Sequence, residues 1–246
     1  MTVQFGAVTI EWLGLGTVRL EGETGVVIYV DPGPEEYGIL DGYRPRDGDL
    51  VLVSHGHHYD PDSIRRVAHE EAIVAVHNSI DVRELDHTDE SPETLPFVVE
   101  RVGADESFVL GPLDLFTTPA YNDPAGSHTD ERGAPYHPEG DGCGFAVTVD
   151  GVSAFWPGDT DALAYHENLD IDLFVPPIGG TFTMDRHEAA ELAAAIAPDL
   201  VLPIRYDTFE EIAADEAAFV VDVARRGVPV VLDDQPDSVP ERPGRP

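Results

Sequence analysis

The sequence predicts a mixed α/β fold in a single domain. Short runs of β-branched and aromatic residues alternate with turn residues along most of the chain, and only three stretches have the caps and length of helices. The chain has 246 residues, of which 42% are hydrophobic, so it is long enough to bury a substantial core. No internal repeat or low-complexity segment interrupts this pattern.

The first half of the chain contains five predicted strands and one predicted helix. The third strand ends at the turn formed by residues 31–34 (DPGP). The run at 50–53 is continuously apolar, as expected for a strand buried on both faces. Asp60 is followed by a proline, which predicts an N-cap and a helix from residue 61 to about residue 69. The strands are predicted at 8–13, 17–21, 25–30, 50–53 and 74–76.

The second half continues in the same style with two further helices. One is predicted at 186–197, where Asp185 is the N-cap and Pro198 follows the last turn. The other is predicted at about 216–226 and ends before Gly227. The strands of this half are predicted at 97–102, 107–110, 113–117, 144–149, 152–156, 173–176 and 200–204.

Two segments are predicted to lie outside regular structure. The stretch from 121 to 141 is polar, rich in glycine and proline, and too long for a simple turn; loops of that length are usually functional. The residues from 233 onward are rich in proline and aspartate. We therefore predict one domain over 1–232 and a frayed tail over 233–246.

The charge balance excludes several classes of function. Asp and Glu number 48 against 14 Lys and Arg, all of them Arg, which gives a net charge of -34. Such a surface repels nucleic acid and anionic lipid.

The single cysteine, Cys143, excludes an internal disulfide and a Cys-based zinc module. No apolar run approaches the length of a membrane span, and the N-terminal segment lacks the layout of a signal peptide, which predicts a cytoplasmic protein. The composition resembles that of cytoplasmic proteins from salt-accumulating archaea.

The unusual polar clusters of the chain share one placement. Each follows directly after an apolar predicted strand, and five such clusters occur. If these strands are neighbours that point the same way, their ends form one rim on which the side chains converge. The clusters begin at Ser54, Pro119, Gly158, Ile178 and Arg205.

The first of these clusters contains three histidines within four positions. Because residues two apart on an extended backbone project to the same side, His55 and His57 can present two imidazoles to one point. Neutral imidazole is a common ligand for Zn²⁺, and carboxylates such as Asp60 and Asp159 could add oxygen ligands. A solvated loop that happens to be rich in histidine is the alternative.

The segments 54–60 (SHGHHYD), 158–160 (GDT) and 31–32 (DP) resemble the metallo-β-lactamase-fold hydrolase superfamily, and in particular its UlaG-like branch. The resemblance extends over most of residues 8–210. It implies an αββα fold, in which helices flank a sandwich of two mixed β-sheets, with a one- or two-metal site at the sheet edge. It also implies hydrolysis of an ester, lactone, amide or phosphodiester by metal-activated water.

The resemblance also implies a ligand set for one metal ion. His55, His57 and Asp159 match family ligands, and His137 is the best match for the histidine of the loop, with His128 as the alternative. The ligands of a second ion match less well. The family pattern His-x-His-x-Asp-His has Tyr59 and Asp60 at its last two positions when it is aligned without gaps; with a gap, His58 takes the final position.

Arg205 stands where the branch has its last histidine ligand. A guanidinium has no lone pair to donate to a metal, and its charge repels a second cation. We therefore predict one ion, with Arg205 replacing part of the second charge and binding an anionic group of a small-molecule substrate. A surface salt bridge is the alternative for this residue.

The expected activity is hydrolysis assisted by one Zn²⁺, Mn²⁺ or similar divalent ion on the four first-site ligands. Asp60 or His58 is expected to position the attacking water or to accept its proton, although Asp60 has an equal claim to be only a helix cap. Arg205 is expected to help stabilise the developing oxyanion. A non-catalytic relative, in which a degenerate metal site binds a small anion or a protein partner, is the alternative function.

Overall fold

The computed structural model describes residues 2–34, 42–110 and 113–233. Within these ranges the chain forms two β-sheets of seven and six strands, with three α-helices. No helix in the described ranges is long and apolar enough to cross a bilayer.

The first sheet contains the strands of the N-terminal half in sequence order. Its first four strands are antiparallel, and its last four run parallel. They are β1 (Thr2–Phe5), β2 (Val8–Gly14), β3 (Thr17–Gly22), β4 (Val27–Val30), β5 (Gly48–Val53), β6 (Ala68–His77) and β7 (Val98–Val102).

The second sheet has the order β13-β12-β11-β10-β9-β8. Its antiparallel pairs are β8–β9, β9–β10 and β10–β11, whereas β11, β12 and β13 are parallel. The strands are β8 (Ser107–Leu110), β9 (Leu113–Ala120), β10 (Gly142–Val149), β11 (Val152–Trp156), β12 (Leu173–Phe174) and β13 (Leu200–Val201).

Strand β5 shows how the layers are assembled. Leu50 and Leu52 pack in the main core with residues of both sheets, whereas Val51 and Val53 face the cluster that contains Ile64 of helix α1 (Pro61–Val67). Because successive side chains of a strand point to opposite faces, both faces of this strand are buried. Helices α2 (Arg186–Ile196) and α3 (Glu216–Arg225) share the main core with the six-stranded sheet. The predicted αββα fold is confirmed.

Helix caps account for the ends of the helices. Asp60 caps α1 and is followed by proline at the first helical position. Asp185 forms a reciprocal capping box with Glu188 at the start of α2. That helix ends at Ala197, which adopts the left-handed conformation typical of a C-cap, before Pro198. All three helices therefore begin and end within about two residues of the predicted positions.

The strands predicted at 173–176 and 200–204 are shorter in the structure, at Leu173–Phe174 and Leu200–Val201, and three further features differ from the prediction. Strand β1 was not predicted, because it lies at the sheet edge and its short run has no fully buried residue. Helix α1 ends at Val67, and β6 begins at once with a mostly exposed charged stretch that reads as a helical continuation. Asp233 is buried and accepts a hydrogen bond from the Trp12 amide (3.1 Å), so ordered chain extends past the predicted boundary at 232. The rest of the predicted tail, 234–246, lies outside the described residues.

The strand directions confirm that the polar clusters share one rim. Because β9 and β11 both run antiparallel to β10, they point the same way, and β12 and β13 are parallel to β11. The chain segments that follow these four strands therefore leave the sheet at one edge. An isolated bridge between His55 and Gly142 brings the segment after β5 of the other sheet to the same edge.

Candidate metal centre

His55 is held by a relay that starts at Asp31. The Ser54 hydroxyl donates to the Asp31 carboxylate (2.7 Å), so it accepts a hydrogen bond from the His55 Nδ1–H (2.8 Å). The Ser54 amide also donates to Asp31 (2.7 Å). This arrangement leaves the lone pair of His55 on Nε2, which is buried and has no hydrogen-bond partner. The relay thus prepares His55 Nε2 as a ligand atom.

A short 3₁₀ turn over Gly56–His58 places three imidazole rings together. The ring centroids of His57 and His58 lie 5.2 Å and 4.8 Å from that of His55. The His58 ring is buried and packs directly against the backbone of Gly16 and Gly33. A side chain at either glycine would crowd the ring, because its Cβ would lie 3.1 Å (Gly16) or 3.0 Å (Gly33) from a ring atom. Burial lowers the pKa of His58 to about 3, against a smaller opposing effect of Asp159. This ring is neutral near pH 7, and both of its nitrogens lack partners.

The loop from 121 to 141 supplies His137. Its amide donates to the side-chain oxygen of Asn122 (2.8 Å), and its Nδ1 lies 3.0 Å from the carbonyl oxygen of Phe182. Since a carbonyl only accepts, Nδ1 carries a proton, and in the neutral ring the lone pair is then on Nε2. The loop was predicted to be functional from its length, and the position of His137 in the centre supports that prediction.

Asp159 is the buried carboxylate on which these groups converge. Its Oδ2 atom lies 3.2 Å from His137 Nε2 and 3.5 Å from His55 Nε2. Its Oδ1 atom is buried and has no partner. Burial alone would raise the pKa of Asp159, but the charge of Arg205 and the contact with His137 hold this pKa well below its usual range. The carboxylate is therefore ionised.

The Nε2 atoms of His55 and His137 approach one carboxylate oxygen, which also accepts from Arg205, and neutral rings in this arrangement leave two nitrogen lone pairs beside an anion unless a cation binds among them. Around a tetrahedral zinc ion with bonds of about 2.0–2.1 Å, ligand atoms lie about 3.3 Å apart. The two measured distances bracket that separation. The ligand atoms of His55, His57 and His137 also all lie within 4.8 Å of one another. The residues present therefore fit a divalent metal ion.

Electrostatics keeps the histidines ready to bind a metal. Burial lowers the pKa of His55 well below its ordinary value, although Asp159 opposes the effect. Burial, followed by the nearby His137, lowers the pKa of His57. Because only a neutral imidazole can donate to a metal, these shifts favour the metal-binding form near neutral pH.

Arg205 forms a buried ion pair within the centre. Its Nη2 donates to Asp159 Oδ2 at 2.5 Å, while Nε and Nη1 are buried without a hydrogen-bond partner. The residue has a positive φ of 57°, and a Cβ on Gly179 would lie only 2.4 Å from its carbonyl oxygen. The surface salt bridge considered above is therefore wrong: the pair is buried, and its carboxylate is a predicted metal ligand.

Two other predicted residues have different surroundings. The Asp60 carboxylate accepts hydrogen bonds from the Asp62 amide (3.1 Å) and from the Ser63 hydroxyl (2.7 Å). These are the contacts of a helix N-cap, which was the alternative role predicted for Asp60. His128 lies 2.7 Å from Asp161 and 3.8 Å from Glu188, in a separate cluster. The choice of His137 over His128 is thus supported by position, and the gapped alignment that uses His58 fits better than the one that uses Asp60.

Two cavities adjoin the centre, and some of their lining was missed by the sequence analysis. They measure 510 Å³ and 310 Å³. His87 lines both cavities, and its Nε2 donates to the Tyr59 carbonyl (2.8 Å). Phe182 and Phe209 line the smaller cavity. No pattern identified these residues, because they come from loops whose path depends on the folded chain.

Comparison with known proteins identifies the family. The protein-family model described as a β-lactamase superfamily domain matches residues 9–205 of this chain. A UPF0173 metal-dependent hydrolase of Methanoregula boonei is 32% identical over 225 residues, which cover 88% of this chain and 90% of that protein. Another, from Methanoculleus marisnigri, is 30% identical over 208 residues, which cover 82% of this chain and 83% of that protein.

Solved structures show the same fold. Igni18, a metallo hydrolase from Ignicoccus hospitalis, has a TM-score of 0.69 at 23% identity and covers 92% of this chain and 94% of its own. YhfI from Bacillus subtilis, a metallo-β-lactamase fold protein, has a TM-score of 0.65 at 12% identity and covers 93% of this chain and 96% of its own. At these identities the structural likeness concerns the fold alone. On the evidence of the family model and the sequence relatives, the chain belongs to the UPF0173 metal-dependent hydrolases, which have the metallo-β-lactamase fold.

Proposed function

We propose that the chain hydrolyses an ester, lactone, amide or phosphodiester bond of a small molecule with one divalent ion, zinc or manganese, held by His55, His57, His137 and Asp159. The observation that carries this proposal is the convergence of the Nε2 atoms of His137 and His55 on one ionised carboxylate oxygen, at 3.2 Å and 3.5 Å. Such an ion, when bound, acidifies water and withdraws electrons from the bond under attack.

The protein's own groups hold this arrangement in place. Asp31, through Ser54, fixes the tautomer of His55, and the Phe182 carbonyl fixes that of His137. Arg205 orients Asp159 through Oδ2. Preorganisation of this kind lowers the reorganisation needed when charge develops in the transition state.

Arg205 also supports the proposal of one ion rather than two. Its guanidinium lies at the wall of the smaller cavity and already neutralises Asp159. A second cation there would face this charge at short range. The same charge stabilises an oxyanion that forms beside it.

Positioning of the attacking water is assigned to His58 in preference to Asp60, because a ring whose pKa burial lowers to about 3 accepts a hydrogen bond near pH 7 but is a weak base. His58 lines the smaller cavity, is neutral near pH 7 and has two nitrogens free of hydrogen bonds. Both carboxylate oxygens of Asp60 are already used as hydrogen-bond acceptors at the start of α1. A group whose lone pairs already accept two hydrogen bonds has less capacity to orient a further water molecule.

The UlaG-like branch, adaptation to high salt and a cytoplasmic location stay predictions alongside this proposal. The high negative charge supports adaptation to salt, because counter-ions screen the repulsion among carboxylates.

The test is a metal titration followed by an assay. Protein stripped with a chelator is expected to bind one equivalent of zinc or manganese by calorimetry, and to hydrolyse 4-nitrophenyl acetate in a chelator-sensitive way. Asp159→Asn is expected to lose both properties. The matched control is Asp161→Asn, two residues along, where the carboxylate contacts His128 instead; it is expected to keep the ion.

Each other outcome has a definite meaning. Two tightly bound equivalents contradict the single ion, and no binding contradicts the metal centre. One bound equivalent without turnover on esters, amides or bis(4-nitrophenyl) phosphate favours the non-catalytic alternative, which the Arg205–Asp159 pair makes reasonable because the carboxylate already has a cationic partner.

A further inference from the structure

The two cavities beside the metal centre share one wall. The larger, of 510 Å³, and the smaller, of 310 Å³, are both lined by His57, His87, Tyr136 and His137. A bond that is attacked at the metal centre lies beside this wall, because His57 and His137 are proposed ligands. Among the residues that the structure describes, His87 is thus the imidazole of the wall that the proposed ligand set leaves unused.

Three contacts fix the segment that carries His87 on the turn that carries the histidine ligands. The Leu85 side chain covers Gly56 so closely that a Cβ on this glycine would lie 2.8 Å from Leu85 Cδ2. The His87 Nε2 donates to the Tyr59 carbonyl (2.8 Å), and the Tyr59 hydroxyl donates to the Glu90 carbonyl (2.9 Å). Because Tyr59 is fully buried, these contacts hold the imidazole in a defined place beside the ligands.

The hydrogen bond to Tyr59 determines which nitrogen of His87 can accept a proton. A carbonyl oxygen only accepts, so Nε2 carries a proton, and in the neutral ring the lone pair is on Nδ1. The two nitrogens of an imidazole point away from each other, so Nδ1 is turned away from the Tyr59 carbonyl. The residue is exposed, and its Nδ1 makes no hydrogen bond within the described part of the chain. This nitrogen is therefore free to exchange a proton with a bound molecule.

The other titratable groups around the two cavities are less suited to this exchange. Burial lowers the pKa of His58 to about 3, so this ring holds a proton weakly near pH 7. Tyr136 shares the wall, but a phenol is a much weaker proton acceptor than an imidazole. The carboxylates that make no ion pair in the described ranges each line one of the two cavities; they are Glu84, Asp86, Asp141 and Glu211.

We propose that His87 is the catalytic residue that transfers the proton during hydrolysis. This inference rests on the proposed hydrolytic function and adds the acid–base group, whereas His58 orients the water. The oxygen of water bonds to the carbonyl carbon or to phosphorus while one of its protons passes to His87 Nδ1. The bond to the leaving oxygen or nitrogen breaks with its electron pair, and that atom takes the proton from Nδ1. The second proton of the water stays with the acid that is formed.

Two acetate esters with the same nitro-substituted ring test this step. From 4-nitrophenyl acetate a stabilised phenoxide leaves without a proton, whereas the alkoxide from 4-nitrobenzyl acetate has to be protonated as it leaves. Proton transfer by a positioned side chain typically contributes about 10²–10⁴-fold to a rate. In metal-loaded His87→Gln, the ratio of kcat/KM for the benzyl ester to that for the phenyl ester is expected to fall at least about tenfold. An equal fall for both esters overturns the proposal.

Glutamine is the informative replacement for His87. Its amide nitrogen can still donate to the Tyr59 carbonyl, but the amide cannot take up and return a proton near pH 7. Metal content and Tm are therefore expected to match those of the wild type. The matched control is His69→Gln, an exposed histidine in a cavity that none of the proposed ligands lines, and it is expected to keep the wild-type ratio. Loss of metal from His87→Gln, or the same fall of the ratio in His69→Gln, overturns the proposal.

Asp141→Asn tests a carboxylate as the alternative proton acceptor. Asp141 lines the larger cavity and also a small pocket with His55, His137 and Asp159. The substitution keeps the backbone carbonyl that accepts from Ser79. It is expected to leave the ratio for the two esters unchanged. A fall as large as that in His87→Gln assigns the proton transfer to this carboxylate and overturns the role of His87.

The wild type distinguishes a failure of this inference from a failure of the hydrolase proposal. If the metal-loaded wild type hydrolyses neither ester nor bis(4-nitrophenyl) phosphate in a chelator-sensitive way, the proposed function is contradicted, and this inference with it. If the wild type is active and His87→Gln has the same ratio for the two esters, this inference alone is contradicted.

Discussion

Two clusters of histidine and carboxylate follow the end of β11, and they differ in whether hydrogen bonds satisfy their polar atoms. The candidate metal centre contains Asp159 and His137, and the second cluster contains Asp161 and His128. Both histidines come from the loop between β9 and β10, and the two aspartates are two residues apart.

The difference lies in how their polar atoms are satisfied. Asp161 accepts from His128 (2.7 Å), from the Asn122 side chain (2.8 Å) and from the Asp123 amide (2.8 Å), so its oxygens are fully used by donors. In the metal centre, Asp159 Oδ1 has no hydrogen-bond partner, and Oδ2 accepts from Arg205 while also lying 3.2 Å and 3.5 Å from the Nε2 atoms of His137 and His55. Similar residues thus form a structural cluster in one place and a binding site in the other.

The largest expected effect separates the two histidines. His137→Ala is expected to lose the bound metal, because a ligand and its tautomer-fixing contact disappear together. His128→Ala is expected to keep one equivalent of metal but to lower the free energy of unfolding by about 2 kcal/mol, since a hydrogen bond to a carboxylate is lost. Metal analysis and urea unfolding measure both. Equal metal loss in the two variants would show that the clusters do not differ as described.

The sequence predicted three of the four proposed ligands for a physical reason. His55, His57 and Asp159 follow apolar strands, and strand direction alone brings such positions to one edge. His137 came only from the family resemblance, because a loop of about twenty residues has no periodicity from which to calculate its path. The same lack of periodicity left His87 and Phe182 unrecognised as cavity residues.

The partner of Arg205 could not be predicted from sequence either. An arginine among 48 acidic residues has many possible partners, and the choice of Asp159 depends on a backbone turn with positive φ at residue 205. The fold was more predictable, because cap residues and alternating burial act over a few neighbouring residues. Edge strand β1 escaped prediction because its alternation involves no fully buried side chain.

The next effect concerns that ion pair. Arg205→Met removes the charge and keeps an apolar side chain of similar length. Without metal, this variant is expected to unfold about 3 kcal/mol more easily, because Asp159 stays buried without a cationic partner. Its affinity for zinc is expected to rise about tenfold or more, since a repulsive charge is gone.

Urea unfolding of the metal-free protein tests the expected loss of stability, and zinc calorimetry tests the expected gain in zinc affinity. Unchanged stability together with unchanged zinc affinity would contradict the view that Arg205 replaces part of a second cation.

A smaller effect is expected at the residue that links the two clusters. The Asn122 side chain accepts from the His137 amide and donates to Asp161 and to the Phe182 carbonyl. Asn122→Ala is expected to cost about 2 kcal/mol of stability and to weaken metal binding, because buried partners lose their hydrogen bonds. Asn168→Ala, at an exposed position, is the matched control and is expected to change stability by less than about 0.5 kcal/mol.

Thermal unfolding and metal titration measure this pair of variants. If Asn122→Ala weakens neither property, the two clusters are held independently of each other.

The smallest effect shows why one unpartnered nitrogen is not enough to define a metal site. His166 is buried; its Nε2 donates to the Pro119 carbonyl (2.9 Å), and its Nδ1 lacks a partner. Burial lowers the pKa of His166 to about 4. Between pH 6.5 and 4 the unfolded chain binds a proton here and the native chain does not, so stability falls as the pH falls through this window.

His166→Gln keeps a donor for the carbonyl and removes the titration. Its free energy of unfolding is expected to fall less steeply with decreasing pH, by at most about 1.4 kcal/mol per pH unit, with metal content unchanged. Urea unfolding at pH 7, 6 and 5 measures the slope. A slope identical to that of the wild type would contradict the depressed pKa.

The central claim is that one ion binds where the imidazoles meet Asp159. Anomalous diffraction at the zinc edge, from crystals of the zinc-loaded protein, tests it most directly. One strong peak is expected, about 2.0–2.2 Å from ligand atoms of His55, His57, His137 and Asp159. Two peaks of equal height, or a single peak at His128 and Asp161, would contradict it.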